Sequence, residues 1–201
     1  MKGIQMIRNV IFDFGQVMIR FEPSIMTAPY ASGEDLATVA EVVFDREYFD
    51  ALDVGAMTDE EAKAAFKTRL PRRLWETACL VYDNWIRNLP PIEGMAELVR
   101  DLKKAGYSVY LLSNISRYFS SHKEANPVLY EFRDWVFSAE VGLVKPDPAI
   151  FRLAVEKFGV APAETLFVDD NPQNLEGAAA VGLSTYLFDG DAARLRARLL
   201  Q

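Results

Sequence analysis

The apolar run Val10-Ile11-Phe12 breaks at a carboxylate, Asp13, with glycine two residues later at Gly15. Strands buried on both faces are continuously hydrophobic, so the pattern predicts a buried parallel strand that delivers Asp13 to the carboxyl edge of a sheet. In open α/β sheets the crevice beyond that edge is where ligands bind. The design recurs far along the chain, where Thr165-Leu166-Phe167-Val168 runs into Asp169-Asp170-Asn171. Two apolar strands ending in converging acids suggest a metal site.

From Leu89 onward helical and strand patterns alternate. Helices are predicted near Gly94 to Ala105, after Ser116, from Pro148 to Phe158 and from Pro172 to Val181. Strands fall at Tyr107 to Leu112, Trp135 to Ser138, Thr165 to Val168 and Thr185 to Phe188. Such alternation implies βαβ units and a parallel sheet. In the last helix Arg194, Arg196 and Arg198 interleave with Leu195, Leu199 and Leu200, which gives a solvated face on an amphipathic helix.

Between Pro23 and Pro91 the pattern changes: no strand is convincing and several stretches read as helix. Thr58-Asp59-Glu60-Glu61 opens one helix with a capping box, and Pro71 starts another at its first turn. The stretch is an all-helical insertion of about 65 residues, half the size of a typical domain. Pro90-Pro91 and then Gly94 mark the return. The predicted architecture is therefore α/β, a Rossmann-like parallel sheet core over residues 1–20 and 91–201 with a helical cap over 21–90. The cap would close over the crevice, with residues 16–21 as hinge and flap and Arg20 as a candidate contact. Its aromatic residues Tyr30, Phe44, Tyr48, Phe49, Trp75, Tyr82 and Trp85 sit at spacings that fit a helical core.

Composition narrows the partners. Of 201 residues half are hydrophobic and a quarter charged, an ordinary globular balance, and the formal charge of −7 argues against nucleic acid, which is held by clustered Lys and Arg. One cysteine, Cys79, allows no internal disulfide, fits a reducing compartment and reads as a buried structural thiol. The stretch from Met1 to Arg8 carries no apolar segment with a cleavage site, and no run approaches the ~20 apolar residues that span a bilayer. These features point to the cytoplasm.

Four strand or loop ends carry polar groups after apolar runs: Asp13, Ser113-Asn114 after Val109-Tyr110-Leu111-Leu112, Lys145 in Gly142-Leu143-Val144-Lys145-Pro146-Asp147-Pro148, and Asp169-Asp170. Taken singly, Ser113-Asn114 reads as a turn, Lys145 as a surface lysine, and Asp147 as an N-cap before a proline at the first helical position. Asp169-Asp170 is different, because adjacent like charges at a strand end repel unless a cation or a lysine compensates. The lone His122, in a polar stretch, reads as solvated.

Taken together, Phe-Asp-x-Gly, Leu-Ser-Asn, Lys-Pro-Asp-Pro and Val-Asp-Asp-x-x-x-Asn, in that order and with an insertion between the first two, resemble the haloacid dehalogenase superfamily of hydrolases over nearly the whole chain. The resemblance implies Asp13 as a nucleophile that takes a phosphoryl group, and Mg²⁺ held by the Asp13 carboxylate, the Gly15 carbonyl and Asp170, with Asp169 assisting directly or through water. It implies Ser113 and the amides after it as donors to phosphate, Lys145 as counter-charge to Asp13 and phosphate, and Asn114 and Asn174 as residues that hold the arrangement. Phosphoryl transfer needs this set: an in-line nucleophile, a cation on the phosphate oxygens and donors for the developing charge.

One position departs from the pattern. Phosphatases that resemble this chain carry a second aspartate two residues after the nucleophile as general acid and base, a service worth ~10²–10⁴ in rate, and here that position is Gly15. The expected function is a Mg²⁺-dependent phosphatase of small phosphomonoesters, with sugar 1-phosphates favoured because their leaving group needs little protonation. The alternatives are a metal-independent 2-haloacid dehalogenase and a phosphate-ligand binding or regulatory protein with little turnover.

Overall fold

In a computed structural model residues 6–200 are described; the first five residues of the Met1 to Arg8 stretch lie outside them. Five short strands, β1 (Asn9–Phe12), β2 (Ser108–Ser113), β3 (Trp135–Phe137), β4 (Thr165–Asp169) and β5 (Ser184–Leu187), form one sheet in the order β3-β2-β1-β4-β5. Every pair is parallel. The chain starts in the middle and winds outward in both directions, so the order reverses at β1 and leaves a crevice at the carboxyl edge.

Register decides what stands there. Phe12 lies opposite Leu111 of β2 and Val168 of β4, and the Asp13 amide donates to the Val168 carbonyl at 2.9 Å. Asp13 and Asp169 therefore end adjacent strands side by side. The alternation of side chains builds two cores. Val10, Phe12, Val109, Leu111, Leu166 and Val168 face one way, and Ile11, Tyr110, Leu112 and Phe167 the other.

The cap between β1 and β2 is helical: α1 (Pro23–Thr27), α2 (Gly33–Val43), α3 (Arg46–Asp53), α4 (Asp59–Arg69) and α5 (Trp75–Asn84). The expected capping box opens α4, with the Glu61 amide donating to Thr58 Oγ1 at 3.2 Å and the Thr58 amide to Glu61 Oε2 at 2.9 Å. Pro71 does not start an α-helix: it is extended (ψ 145°) and precedes a 3-10 turn, Arg72–Leu74, that feeds α5. The two connecting strips run antiparallel, with the Arg20 amide on the Pro90 carbonyl at 2.8 Å and the Ile92 amide on Met18 at 3.0 Å. Cap residues such as Val39, Phe66 and Tyr82 belong to the same hydrophobic cluster as Phe12 and Val168, so the cap is packed onto the sheet.

Six further α-helices follow among the described residues: α6 (Met95–Lys104), α7 (Arg117–Ser121), α8 (Ser138–Val141), α9 (Pro148–Phe158), α10 (Pro172–Ala179) and α11 (Ala192–Leu199). Asp147 caps α9 as expected, accepting from the Ala149 amide at 2.8 Å with Pro148 at the first helical position. Arg194, Arg196 and Arg198 are exposed around buried Leu195 and Leu199, which is the solvated face expected of α11. Two expectations are corrected. Cys79 is only half-buried, because its position on α5 turns aside from the buried stripe of Ala78, Val81 and Tyr82. His122 is not freely solvated: its ring packs 4.3 Å from that of Tyr118 and its Nδ1 lies 2.9 Å from the Tyr118 carbonyl.

Gly177 of α10 allows a close approach. A Cβ there would stand 2.1 Å from the Pro146 carbonyl oxygen and 2.8 Å from the Phe151 ring, so only glycine lets α10 pass against the loop that carries Lys145. Alanine is favoured over glycine inside helices by about 1 kcal/mol, yet Gly177→Ala is expected to lower stability by about 1–3 kcal/mol through overpacking. Urea denaturation checks this; an unchanged or raised midpoint would mean that α10 shifts freely.

Candidate active site

The carboxyl ends of β1, β2 and β4 and the cap enclose a cavity of ≈ 560 Å³. Its floor holds the residues that the sequence singled out: Asp13, Gly15, Ser113, Asn114, Lys145, Asp170 and Asn174 all line it. Asp169 stands directly behind them and is fully buried.

Lys145 is the centre of the floor and contradicts the surface-lysine reading, being 4 % exposed. Its Nζ lies 2.8 Å from Asp13 Oδ1 and 2.7 Å from Asp169 Oδ2. A buried ammonium persists only if paired, and two carboxylates at the ends of neighbouring strands provide that pairing. Burial works to lower the Lys145 pKa, but the two negative neighbours outweigh it and hold the group above its ordinary value. Asn114 fixes the lysine's backbone on both sides, its Oδ1 accepting from the Lys145 amide at 2.8 Å and its Nδ2 donating to the Lys145 carbonyl at 2.9 Å. Ser113-Asn114 is thus more than a turn: β2 positions the loop that carries the cation.

The three carboxylates differ in how many partners they already have. Asp169 is saturated: Oδ1 accepts from the Asn171 amide at 2.8 Å and Asn174 Nδ2 at 3.1 Å, and Oδ2 from Asn174 Nδ2 at 3.0 Å and Lys145. Asp13 is half-engaged, with Oδ1 accepting from Lys145 and from the Phe14 amide at 2.7 Å. Its Oδ2 has no hydrogen-bond partner among the described residues. The Asp170 carboxylate makes no side-chain hydrogen bond or ion pair among the described residues and is open to the cavity.

One oxygen from each of the three lies within 4.8 Å of the others. Three carboxylates and one lysine leave excess negative charge in a confined space. Burial first, then the charge of Asp169, push Asp13 up to about 6 against the pull of Lys145, and the same two causes raise Asp170. The Asp170 carboxylate, beside the Asp13 carboxylate, is the donor type that a small, hard divalent cation takes, with water completing its shell. Ser113, at the end of β2, is 2 % exposed and its hydroxyl has no side-chain partner among the described residues. The amide of Ile115 is committed to Ser138 Oγ at 2.8 Å, which removes it from the donors expected after Ser113.

The cap forms the roof, whose lining residues carry little signal in the sequence. Phe44, Phe49 and Trp85 line the cavity with Phe21 and Phe119, rather than lying wholly inside a cap core. Phe21 joins Phe44, Phe49 and Trp85 edge-on, with centroids 5.4–5.8 Å apart. Arg46, Asp50 and Asp53 of α3 also reach the cavity. Arg46, Phe49, Asp50 and Asp53 follow the i, i+3, i+4, i+7 spacing of one helical stripe, a signal present in the sequence but uninformative until the facing surface is known. Arg20 is exposed and does not line the cavity.

Gly15 has an ordinary negative-φ backbone and a Cβ built on it would meet nothing within 4 Å. The carboxylate missing there is not excluded by lack of room. The next residue, Gln16, is the one non-glycine residue with positive φ (55°) among those described, and its Nε2 donates to the Phe21 carbonyl at 3.2 Å. That turn swings the chain from the floor to the roof.

Comparisons with known proteins agree with this geometry. Residues 7–182 match a family described as haloacid dehalogenase-like hydrolase. A sesquiterpene phosphatase of Aspergillus oryzae is 27% identical over 197 residues, covering 96% of both chains. A D-ribitol-5-phosphate phosphatase of Bacteroides thetaiotaomicron is 27% identical over 192 residues, covering 90% of this chain and 91% of its own. The crystal structure of a family enzyme from the same bacterium, solved as a magnesium complex, superposes with a TM-score of 0.71 at 25% identity, covering 94% of this chain and 98% of that one. With the family matching most of its length, and with an aspartate-lysine-aspartate floor at the carboxyl edge of a five-stranded parallel sheet, this chain belongs to the haloacid dehalogenase-like hydrolases.

Proposed function

We propose that the chain is a Mg²⁺-dependent phosphatase that hydrolyses phosphate monoesters of small alcohols through an aspartyl-phosphate on Asp13. The observation that carries this is the difference in engagement of the three acids: Asp169 is saturated and holds Lys145, while Asp13 Oδ2 and the Asp170 carboxylate have no partner on another described residue, and both acids line the cavity.

In this reading Asp13 Oδ2 attacks phosphorus as the ester P–O bond breaks, and water then hydrolyses the acyl phosphate to release inorganic phosphate and restore the carboxylate. Lys145 holds the other Asp13 oxygen and faces the incoming phosphate, offsetting the repulsion between two anions. The Ser113 hydroxyl donates to a phosphate oxygen, and Asn114 and Asn174 keep Lys145 and Asp169 in place. Mg²⁺, held by Asp13, the Gly15 carbonyl and Asp170, would supply charge neutralisation on the transferring group. Asp169 acts here by orienting Lys145, because its four hydrogen bonds leave little capacity for a direct ligand bond.

The relatives support phosphate esters as the class, one named a D-ribitol-5-phosphate phosphatase and one a sesquiterpene phosphatase. Sugar 1-phosphates stay within that class, and the preference for them rests on Gly15 alone. A cytoplasmic setting rests on the single cysteine; no helix among the described residues is long and apolar enough to cross a membrane. The dehalogenase alternative needs no cation and gives the free Asp170 carboxylate nothing to do.

Phosphate release from a panel of sugar, polyol and aryl phosphates is expected to require Mg²⁺ and to fall about 10³-fold or more in Asp13→Asn. Halide release from a 2-haloacid that chelator leaves undiminished, with no phosphate release from any ester, would overturn the proposal.

The same site predicts a pH dependence of stability. Asp13 is raised to about 6 and Asp53 to about 7. In each case the folded state binds a proton that the unfolded chain has released above about pH 4. In chelator, stability is therefore expected to decline as pH rises from about 4 to about 7. Saturating Mg²⁺ binds the ionised form and should restore about 2.7 kcal/mol at a hundred times its Kd, at pH 7.5 far more than at pH 5. Thermal melts with and without Mg²⁺ at the two pH values check this, and a Mg²⁺ effect independent of pH would contradict it.

A further inference from the structure

We propose that Asp53, delivered from the cap by α3, is the general acid and base of the reaction, supplying the function that the side chain missing at Gly15 would have performed. The inference rests on the phosphatase reading above and deepens it.

The geometry of α3 carries it. Arg46, Phe49, Asp50 and Asp53 form one stripe, and all four line the cavity over Asp13. Asp53 is the last residue of the helix, at the end that meets the start of α8. Its backbone carbonyl accepts from Ser138 Oγ at 2.5 Å, and that oxygen accepts from the Ile115 amide at 2.8 Å, two residues beyond Ser113. A Cβ on Gly55 would come within 3.1 Å of the Ala139 carbonyl oxygen, so the chain just past Asp53 also lies tightly on the core. The cap residue is thus tied by two hydrogen bonds to the strand end that supplies the phosphate-binding hydroxyl, which gives a proton donor the fixed placement it needs.

The Asp53 carboxyl is also available. It makes no hydrogen bond or ion pair among the described residues, whereas Asp50 is paired with Arg46 at 2.9 Å and Asp169 is saturated. The charged groups around it are Asp50 and Arg46 on its own helix and Asp13 and Lys145 across the cavity; Arg117 of α7, bonded to the Ala139 carbonyl, and exposed Glu140 of α8 complete the packed elements. Burial above all, then Asp50, push Asp53 up to about 7 against the pull of Arg46. A carboxyl in that range holds a proton for a leaving group near neutral pH and can take one back, the behaviour of an acid that must also serve as base. Gly15 and Asp53 line the same cavity, and a Cβ at Gly15 would meet nothing within 4 Å.

The steps balance. As Asp13 Oδ2 bonds to phosphorus and the ester P–O bond breaks, the Asp53 proton passes to the departing oxygen and a neutral alcohol leaves. The Asp53 carboxylate then takes a proton from the water that attacks the aspartyl-phosphate, which regenerates the acid, frees Asp13 and releases inorganic phosphate.

The test compares leaving groups in Asp53→Asn. With Mg²⁺ present, ribitol 5-phosphate and phenyl phosphate, whose leaving groups need protonation, are expected to lose about 10²–10⁴ in kcat/KM. p-Nitrophenyl phosphate, of nearly the same footprint as phenyl phosphate but with a far more acidic leaving group, should lose less than tenfold. A normal burst of phosphoenzyme from p-nitrophenyl phosphate shows that the variant is folded and that Asp13 still works. In single turnover on phenyl phosphate the wild-type rate should fall as pH rises past about 7, and the variant should lack that limb. Equal losses on both aryl esters, or none, in the presence of an active wild type would overturn this proposal alone. A wild type inactive on every phosphate would overturn the phosphatase reading and this proposal with it.

Discussion

One buried ammonium placed between two buried carboxylates organises the carboxyl edge of this sheet. Lys145 cannot be buried unless Asp13 and Asp169 stand within hydrogen-bond reach, and they do so because β1 and β4 are parallel neighbours in register. Removing one member of a buried ionic set leaves an uncompensated charge, which typically costs about 3–5 kcal/mol. The surroundings are accordingly dense with orienting bonds: Asn174 and the Asn171 amide on Asp169, the Phe14 amide on Asp13, and Asn114 on both sides of the Lys145 backbone. Gly177 belongs to the same constraint, since it is the clearance that lets α10, bearing Asn174, and the Lys145 loop occupy adjoining space.

Core and cap divide the chemistry between them. The sheet supplies a charged floor whose bonds are nearly all internal; among the described residues Asp13 Oδ2, the Asp170 carboxylate and the Ser113 hydroxyl have no partner on another side chain. The cap supplies a largely aromatic roof and, on one helix, a set of charged groups that reach down toward the floor. A single hydrophobic cluster runs through both, so the roof is held by packing as well as by its two connecting strips. Apolar walls around charged groups lower the local dielectric and strengthen the electrostatic interactions between them.

The glycine at position 15 shows how a local departure is read differently at the two levels. In the sequence it is a missing acid, and the natural inference is a substrate that needs none. In the fold it is open space in a cavity that Asp53 also lines, a carboxyl with no partner among the described residues. Asp53 could not have been singled out from the chain: Arg46, Phe49, Asp50 and Asp53 share a stripe, but charged stripes on helices normally face solvent. The same reason explains the aromatic residues of the cap. Phe44, Phe49 and Trp85 have the periodicity of core positions and are indeed buried, yet the surface they bury against is partly a cavity.

The α/β alternation, the helical stretch between the first two strands and nearly all strand positions were legible in the chain, as were the residues that line the cavity floor. These are properties of short windows: continuous apolar runs, caps such as Asp147-Pro148 and Thr58 to Glu61, and acids placed directly after strands. Four features were not legible in the chain: the burial of Lys145, the saturation of Asp169 beside an Asp170 with no partner on another described residue, the place of Arg20 outside the cavity and that of Asp53 on its lining. Each of those depends on which atoms from distant segments share a few ångströms, and partner, burial and charge environment are set by strand order and helix docking rather than by local pattern.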